Sequence, residues 1–344
     1  MNNKGMAITT VIYSIILLLS LCMFLVLGIL RSEYTNDKQY ILDLREELNN
    51  LLKGDEESYG VDKIIKQTGN KDNSGLYTIT HSKDTTLQIG NDKDIKEYRY
   101  RGANPKNYVT FNNEVWRIIG VFPVDDGNGN IENRIKLIRN ESIGDKFWDV
   151  SGSNNWARSA KINTELNTTY LNSLDSTSKS MIGNTKYYLG GKNVTYNNGY
   201  ADTPLQFYSY ERKIQNTTSN EFYNGTNPNS WVGKLALMYV SDYGYASSNC
   251  ENKMLYSSKS LSNDLRACND TNWLYSGNYQ YILPQLSSSS YCGFIVLPSG
   301  DLSDNFCYDT QSAHFDTRPV LYLISSVQIT GGDGTSTNPY TLGL

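Results

Sequence analysis

The sequence predicts an α+β protein: a long N-terminal helix, first transmembrane and then amphipathic, followed by a mixed, mainly antiparallel-sheet globular domain with long loops. Three observations predict it. Met6 to Leu30 is a run of 25 residues without a charged side chain. Arg31 to Lys53 then carries apolar residues at helical spacing. Beyond residue 98, short alternating segments separated by turn residues follow one another with little helical pattern between them.

The apolar run has the length that a bilayer asks of a helix, about 20 residues, and no buried core helix needs so long a charge-free stretch. Lys4 precedes it, a single positive charge that favours a cytoplasmic N-terminus and places the following chain outside. A cleavable secretory signal would have a shorter apolar region and a small-x-small site, and neither occurs. A lipoprotein reading would rest on Leu19-Ser20-Leu21-Cys22, where bulky Leu21 occupies a position that needs a small residue. Cys22 is read instead as a helix-packing residue.

From Arg31 to Lys53, Tyr34, Ile41, Leu44, Leu48, Leu51 and Leu52 share one face, and Lys53-Gly54 supplies a stop. The two segments together predict a rod of 48 residues, about 70 Å long at 1.5 Å per residue. A stalk or a parallel coiled-coil pair has the same periodicity. Residues 54–97 read as a connecting region with one exposed strand, Leu76 to Thr80, beside the turn-rich patch Lys71–Gly75.

The globular domain, 98–344, opens with strands. Tyr98-Arg99-Tyr100-Arg101-Gly102 leads to Asn107–Phe111, Asn112-Asn113 turns, and Glu114–Phe122 returns as a hairpin partner. Ile131–Ile138 follows the Gly-Asn-Gly turn at 127–129 and completes a three-stranded meander. Ile162, Leu166, Tyr170 and Leu171 recur at helical spacing, with Ser153 or Ser159 as candidate caps. Ser180-Met181-Ile182 starts another helical turn, and Tyr187 to Pro228 reads as one long loop. Further strands are expected at 231–240, 281–283, 293–298 and 318–322. Short strands, few helices and decorated loops argue against a doubly wound sheet.

Composition bounds the function. Net charge is −4, so no basic field exists to hold nucleic acid. Charged residues make up only 19% of the chain while tyrosines number 27, a polar, aromatic surface that suits contacts with sugars or proteins. Of five cysteines, Cys22 lies in the apolar helix. The other four, Cys250, Cys268, Cys292 and Cys307, cluster in the last hundred residues, as expected of disulfides in an exported body. Pairing Cys250 with Cys268 and Cys292 with Cys307 closes two local loops. Zinc is a poor fit, since no Cys-x-x-Cys occurs and His81 and His314 stand alone in sequence.

No nucleophile triad, phosphate loop, dinucleotide fingerprint or zinc-peptidase pattern occurs, so no catalytic residue and no cofactor are assigned. His314 has Asp309 and Asp316 near it in sequence, but a general base there has no nucleophile to serve. Asp301, Asp304, Asn305 and Asp309 form an oxygen-rich cluster that could take Ca²⁺; their spacing is not that of a helix–loop–helix ring, which favours solvated turns. Asp242, Tyr243 and Tyr245, with Tyr239, are the candidate ligand-binding group, a sugar site or else loop packing.

Two resemblances add to this reading. Met-Asn-Asn-Lys-Gly followed at once by a long apolar helix resembles the leader of type IV pilins and pseudopilins. The resemblance implies cleavage between Gly5 and Met6 by a prepilin peptidase, N-terminal methylation, and association with other pilin-like subunits. The family has Glu at the fifth mature position, where this chain has Thr10, so filament packing is the implied property that this residue weakens. The second resemblance rests on Trp116-Arg117-Ile118-Ile119, Lys136-Leu137-Ile138-Arg139, Trp156, Ile162–Asn167, Tyr170-Leu171 and Arg318–Leu323. This order is similar to that of an uncharacterised domain family of bacterial surface proteins, loosely similar in turn to C-type-lectin-like and formylglycine-generating-enzyme-like folds. It implies a fold and carries over no catalytic residue.

The function expected is that of a non-enzymatic, pilin-like, single-pass membrane protein, a minor pilin or adhesin-like subunit. Its leader would be 1–5, its span 6–30 and its stalk 31–53, and its C-terminal domain would meet a glycan or protein ligand at the cell surface. A plain signal-anchored binding protein is the alternative. An exported glycan- or protein-modifying enzyme would need Cys292 and Cys307 as reduced, active thiols.

Overall fold

The computed structural model describes residues 13, 15–24, 40–41, 59–68, 75–89, 92–149, 153–158, 160–191, 203–214, 227–253, 255, 268–286, 289, 291–307 and 314–344. The chain divides into two compact units, Met1–Glu57 and Ser58–Leu344. In the first, residues 15–24 are helical and their apolar side chains are exposed, Leu17 at 73% and Phe24 at 74%. No helix among the described residues is long and apolar enough to cross a membrane. Most of the expected span at 6–30 and stalk at 31–53, with Gly5 and Met6, lies outside the described residues.

The second unit is an α+β fold built mainly on antiparallel sheets. Its largest sheet runs β1-β2-β4-β5-β14-β9, with β3 also paired to β4. These are β1 (Gly75–His81), β2 (Ile95–Arg101), β3 (Tyr108–Phe111), β4 (Glu114–Asp125), β5 (Ile131–Arg139), β9 (Leu235–Ala236) and β14 (Val320–Tyr322). β4 organises the sheet because its 12 residues are long enough to serve two partners along one edge. β3 pairs near its start, Val109 opposite Trp116, and β2 further along, Arg99 opposite Gly120. Nearly every β4 side chain is buried, which means that both faces of the strand are covered.

The turns follow from the residues in them. Asn112 and Asn113 both take positive φ, 53° and 56°, the left-handed pair that closes a two-residue hairpin with the twist of its strands. Between β4 and β5, Asp125 and Asp126 accept backbone N–H groups from Gly127, Asn128, Gly129 and Asn130 and hold the loop shut. At Gly120 the backbone of β2 approaches so closely that a Cβ would collide with the Tyr98 carbonyl oxygen.

A second sheet runs β12-β11-β10-β13-β6: β6 (Asp145–Phe147), β10 (Gln280–Gln285), β11 (Cys292–Val296), β12 (Leu302–Cys307) and β13 (His314–Asp316). Its β10–β13 pair is parallel and the others antiparallel. The pairs β7 (Thr185–Tyr188) with β8 (Ser230–Gly233), and β15 (Gln328–Gly331) with β16 (Thr341–Gly343), complete the strands.

The expected helix at 162–171 is present as three segments laid end to end, Lys161–Thr164, a π-helical Glu165–Tyr170 and Leu171–Ser173. Its buried Ile162 and Leu166 are the residues whose spacing predicts it. The capping expectation needs correction. The N-cap is Ala160, with no side-chain bond; Ser153 accepts the Asn155 N–H instead, and Ser159 lies outside the described residues.

Three further expectations change. Residues 54–97 are more than a connection. Gly60–Ile65 forms a helix whose Ile64 is fully buried, and β1 adds a largely buried strand to the main sheet. The stretch 187–228 holds the helix Pro204–Arg212, opened by a reciprocal capping box between Thr203 and Gln206 with Pro204 in the first turn. The expected strand at 231–240 breaks in two at Lys234 and turns helical at Val240.

Residues of the second resemblance converge in space. Glu114 accepts from Arg139 Nε (3.1 Å), Tyr170 Oη (2.6 Å) and Trp116 Nε1 (3.3 Å). Asn167 exchanges two hydrogen bonds with the backbone of Leu235, tying the helix to β9. Cys250 and Cys268 form a disulfide, as expected. Cys292 is also disulfide-bonded and lies opposite Cys307 in the β11–β12 register.

Candidate functional site

Strands β1 and β2 alternate, so residues of one parity share a face. Ile79 lies opposite Glu97 and His81 opposite Ile95, which makes His81 and Glu97 diagonal neighbours on that face, with Arg99 next along. The face is buried, and polar groups in such a place must find partners. His81 Nε2 meets Glu97 Oε2 at 3.1 Å. Arg99 donates to the same carboxylate from Nε (2.9 Å) and, from Nη1, to Asp242 Oδ1 (2.9 Å). Asp242 Oδ2 accepts from Lys136 Nζ at 2.5 Å and from the Tyr239 N–H at 2.8 Å. Next to this chain, Glu211 accepts from Arg212 Nη1 (2.6 Å) and from the Ser241 N–H and hydroxyl.

Three basic side chains, Arg99, Lys136 and Arg212, thus face three carboxyls, Glu97, Asp242 and Glu211. Burial would raise Glu97, but Arg99 and then His81 overcome it and hold the carboxyl well below its ordinary range. Burial opposes ionisation at Asp242 as well, and Lys136 and Arg99 win there too. At Lys136 burial prevails over Asp242 and pushes the ammonium down to about 8. At Glu211 burial prevails and the carboxyl is raised. Aromatic rings enclose the charges: Arg99 lies 4.5 Å from the Phe122 ring centre and Lys136 4.3 Å from that of Tyr239.

His81, at the end of the network, lines a cleft. The cleft, of about 560 Å³, is lined by residues 80–85, Leu87, Leu205, Tyr208 and Ser209. One wall is the end of β1 and the loop after it, the other the helix Pro204–Arg212. The loop is held to the chain leaving that helix. Gln88 N–H donates to the Arg212 carbonyl and Ile214 N–H to the Thr86 carbonyl, both at 2.8 Å, while Lys213 Nζ bonds Asp84 and Thr86. Hydrogen bonds from Thr86 outweigh partial burial and bring the Asp84 carboxyl down to about 2.

His81 and Tyr208 line this cleft, at 3% and 1% exposure, with their rings stacked 3.5 Å apart and 5° from parallel. Among the described residues, neither His81 Nδ1 nor the Tyr208 hydroxyl has a hydrogen-bond partner. An unmet buried polar group costs about 1–3 kcal/mol, so two of them side by side at a cleft are an expense that a bound molecule would remove. Glu97 orients the imidazole through Nε2 and leaves Nδ1 for that molecule. Among the described residues His81 has no hydroxyl or thiol bonded to it as a nucleophile would be.

The expected site residues are placed differently. Asp242, Tyr243 and Tyr245 are core residues: Asp242 sits inside the network, Tyr243 donates to the Gly300 carbonyl, and Tyr245 packs edge-on to His81. Of the calcium candidates, Asp301 is buried and its carboxylate accepts from Ser299. The side chains of Asp304 and Asn305, and all of Asp309, lie outside what is described. No group of three or more His, Cys, Asp or Glu residues suited to a metal occurs among the described residues. His314 is exposed and stacks on Phe147 at 4.4 Å, while Asp316 accepts from Asn278. His81 stands alone in sequence only. The signal that finds it is the alternation of Glu97, Arg99 and Arg101 on one strand, which demands a charged complement on the neighbouring one.

Comparison with family models, with curated proteins and with solved structures gives no match to this chain.

Proposed function

We propose that this chain is a membrane-anchored surface protein, pilin-like in its N-terminal layout, that displays its large β-rich unit as a binding domain and carries out no covalent chemistry. The observation that carries the reading is the exposed apolar helix at 15–24, set in a unit separate from the body. A helix apolar on every side has no water-compatible face, and lipid or neighbouring apolar helices are the surroundings that satisfy it. It lies inside the charge-free run Met6–Leu30, which supplies the length that a bilayer requires. Disulfide bonding at Cys250, Cys268 and Cys292 supports an oxidising, extracytoplasmic setting for the body.

In this reading Met1–Gly5 is a leader, a prepilin peptidase cuts before Met6, and the mature helix sits among lipid and other pilin-like subunits. Thr10, where the pilin family has Glu, favours one second reading: a signal-anchored binding protein that never enters a filament. N-terminal mass spectrometry of the chain taken from its native membrane separates the two. The pilin-like reading expects a mature N-terminus at Met6, and Gly5→Leu should abolish the cut. A mature form that begins at Met1 ends the pilin reading and leaves the plain anchor.

A further inference from the structure

From the cleft beside His81 we infer that the displayed domain binds a neutral, hydroxyl-rich ligand, a short saccharide, between the end of β1 and the helix Pro204–Arg212. The inference rests on the reading of the chain as a binding protein and names what it binds. Three features of the cleft lead to it.

First, the deeply buried groups left unspent beside the cleft, among the described residues, are an imidazole nitrogen and a phenol hydroxyl. His81 Nδ1 and the Tyr208 hydroxyl belong to lining side chains more than nine-tenths buried and each has under 1 Å² of its own surface exposed, so a ligand that bonds them does so with a small shift of the two stacked rings. With Glu97 taken up at Nε2, Nδ1 is the ring nitrogen left for a ligand hydroxyl, which can donate or accept, as can the phenol.

Second, the ionic network behind them supplies its own counterions, Arg99, Lys136 and Arg212 against Glu97, Asp242 and Glu211. A ligand charge brought against that wall would find no opposite charge left over, and Lys83, exposed on the rim, is the cation through which an acidic ligand would have to bind. The acid on the rim, Asp84, is spent on Lys213 and Thr86.

Third, the rest of the lining offers hydroxyls together with an apolar surface. Thr80, Ser82, Thr85 and Ser209 are present, and Leu205, half exposed, is the surface on which a sugar's C–H face can rest. Hydroxyls on successive carbons, each both donor and acceptor, match this set better than a peptide with charged side chains. At about 560 Å³ the cleft is within the usual span of small-molecule sites, roughly 300–1,000 Å³.

The test uses the full chain, purified in a detergent without a sugar headgroup, on an array of immobilised neutral and acidic oligosaccharides. The neutral glycan that binds is then titrated by calorimetry. Tyr208→Phe, which removes only the unpaired hydroxyl, should weaken binding about tenfold or more without lowering the melting temperature. Leu205→Trp, at a half-exposed position, should block the cleft and abolish binding in a protein that still folds. The proposal is overturned by binding to no neutral glycan, by binding that both variants leave intact, or by binding of acidic glycans alone that Lys83→Gln removes. None of these outcomes bears on anchoring, which the mature N-terminus reads separately.

Discussion

Glu97 holds two partners at once, the Arg99 guanidinium and the His81 imidazole, in a place that water does not reach. Removing one member of such a cluster leaves a buried charge uncompensated, which costs about 3–5 kcal/mol. Glu97→Gln should therefore lower stability by that amount, read from denaturant unfolding of the full chain. The same residue sets an acid limit. Its folded pKa is depressed below the ordinary 4.5, so the unfolded chain takes up the proton first. The stability that Glu97 contributes is present above pH 4.5 and is lost as pH falls below it. Asp242 acts in the same direction. Glu211, raised rather than lowered, works against them, with a contribution that fades as pH rises. With two carboxyls against one, the melting temperature should fall between pH 5 and pH 3, and more gently in Glu97→Gln. An equal slope in both proteins would remove Glu97 from the account. None of this site is legible from motifs, because its members lie at 81, 97, 99, 136, 208, 211 and 242. It becomes legible only through the β1–β2 register, and the sequence reading takes the strand Leu76–Thr80 as an exposed one in a connecting region rather than as part of the main sheet. Asp242 is singled out there for its aromatic company, and the same company is what buries it.

Elements whose residues leave one geometric choice are the ones that the sequence reveals. The Asn112-Asn113 hairpin, the helix through Ile162 and Leu166, and the strands of the meander are read correctly because a turn type or a period of 2 or 3.6 fixes each. Asn113→Gly should stabilise the protein by up to about 1 kcal/mol, since glycine takes the left-handed conformation at no steric cost. A loss of stability would argue that the Asn113 side chain holds the turn. Gly120→Ala should cost about 1–3 kcal/mol, because the new Cβ meets the β2 backbone rather than a movable side chain. The disulfide Cys250–Cys268 closes a loop with a sequence separation of 18, worth about 3 kcal/mol by loop entropy. Changing both cysteines to serine should lower the denaturation midpoint accordingly. Elements that depend on distant partners are harder to see. The helix Pro204–Arg212 sits in a stretch rich in Asn, Gly, Thr and Tyr, and only Thr203-Pro204 and Gln206 mark its start. The strand expected through Val240 fails because Asp242, drawn to Lys136 and Arg99, caps a helix there instead.

For the molecule as a whole, the division into an N-terminal unit and a β-rich body follows from composition: apolar and charge-free first, polar and tyrosine-rich afterwards. The position of the boundary does not. The body begins at Ser58, because Tyr59 bridges to Gln328 and the Gly60 N–H donates to the Val327 carbonyl, more than two hundred residues away in sequence, a contact that no local pattern announces. The body holds a cleft beside two polar groups that have no partner among the described residues. What precedes it is a helix whose apolar side chains need a non-aqueous surround. Surface proteolysis of intact cells that carry a tag after Leu344 tests this arrangement most directly. The account predicts that protease added outside removes the tag while the residues around 15–24 stay with the membrane through carbonate washing. A tag shielded until the cells are broken, on a chain that washes free of the membrane, would contradict it.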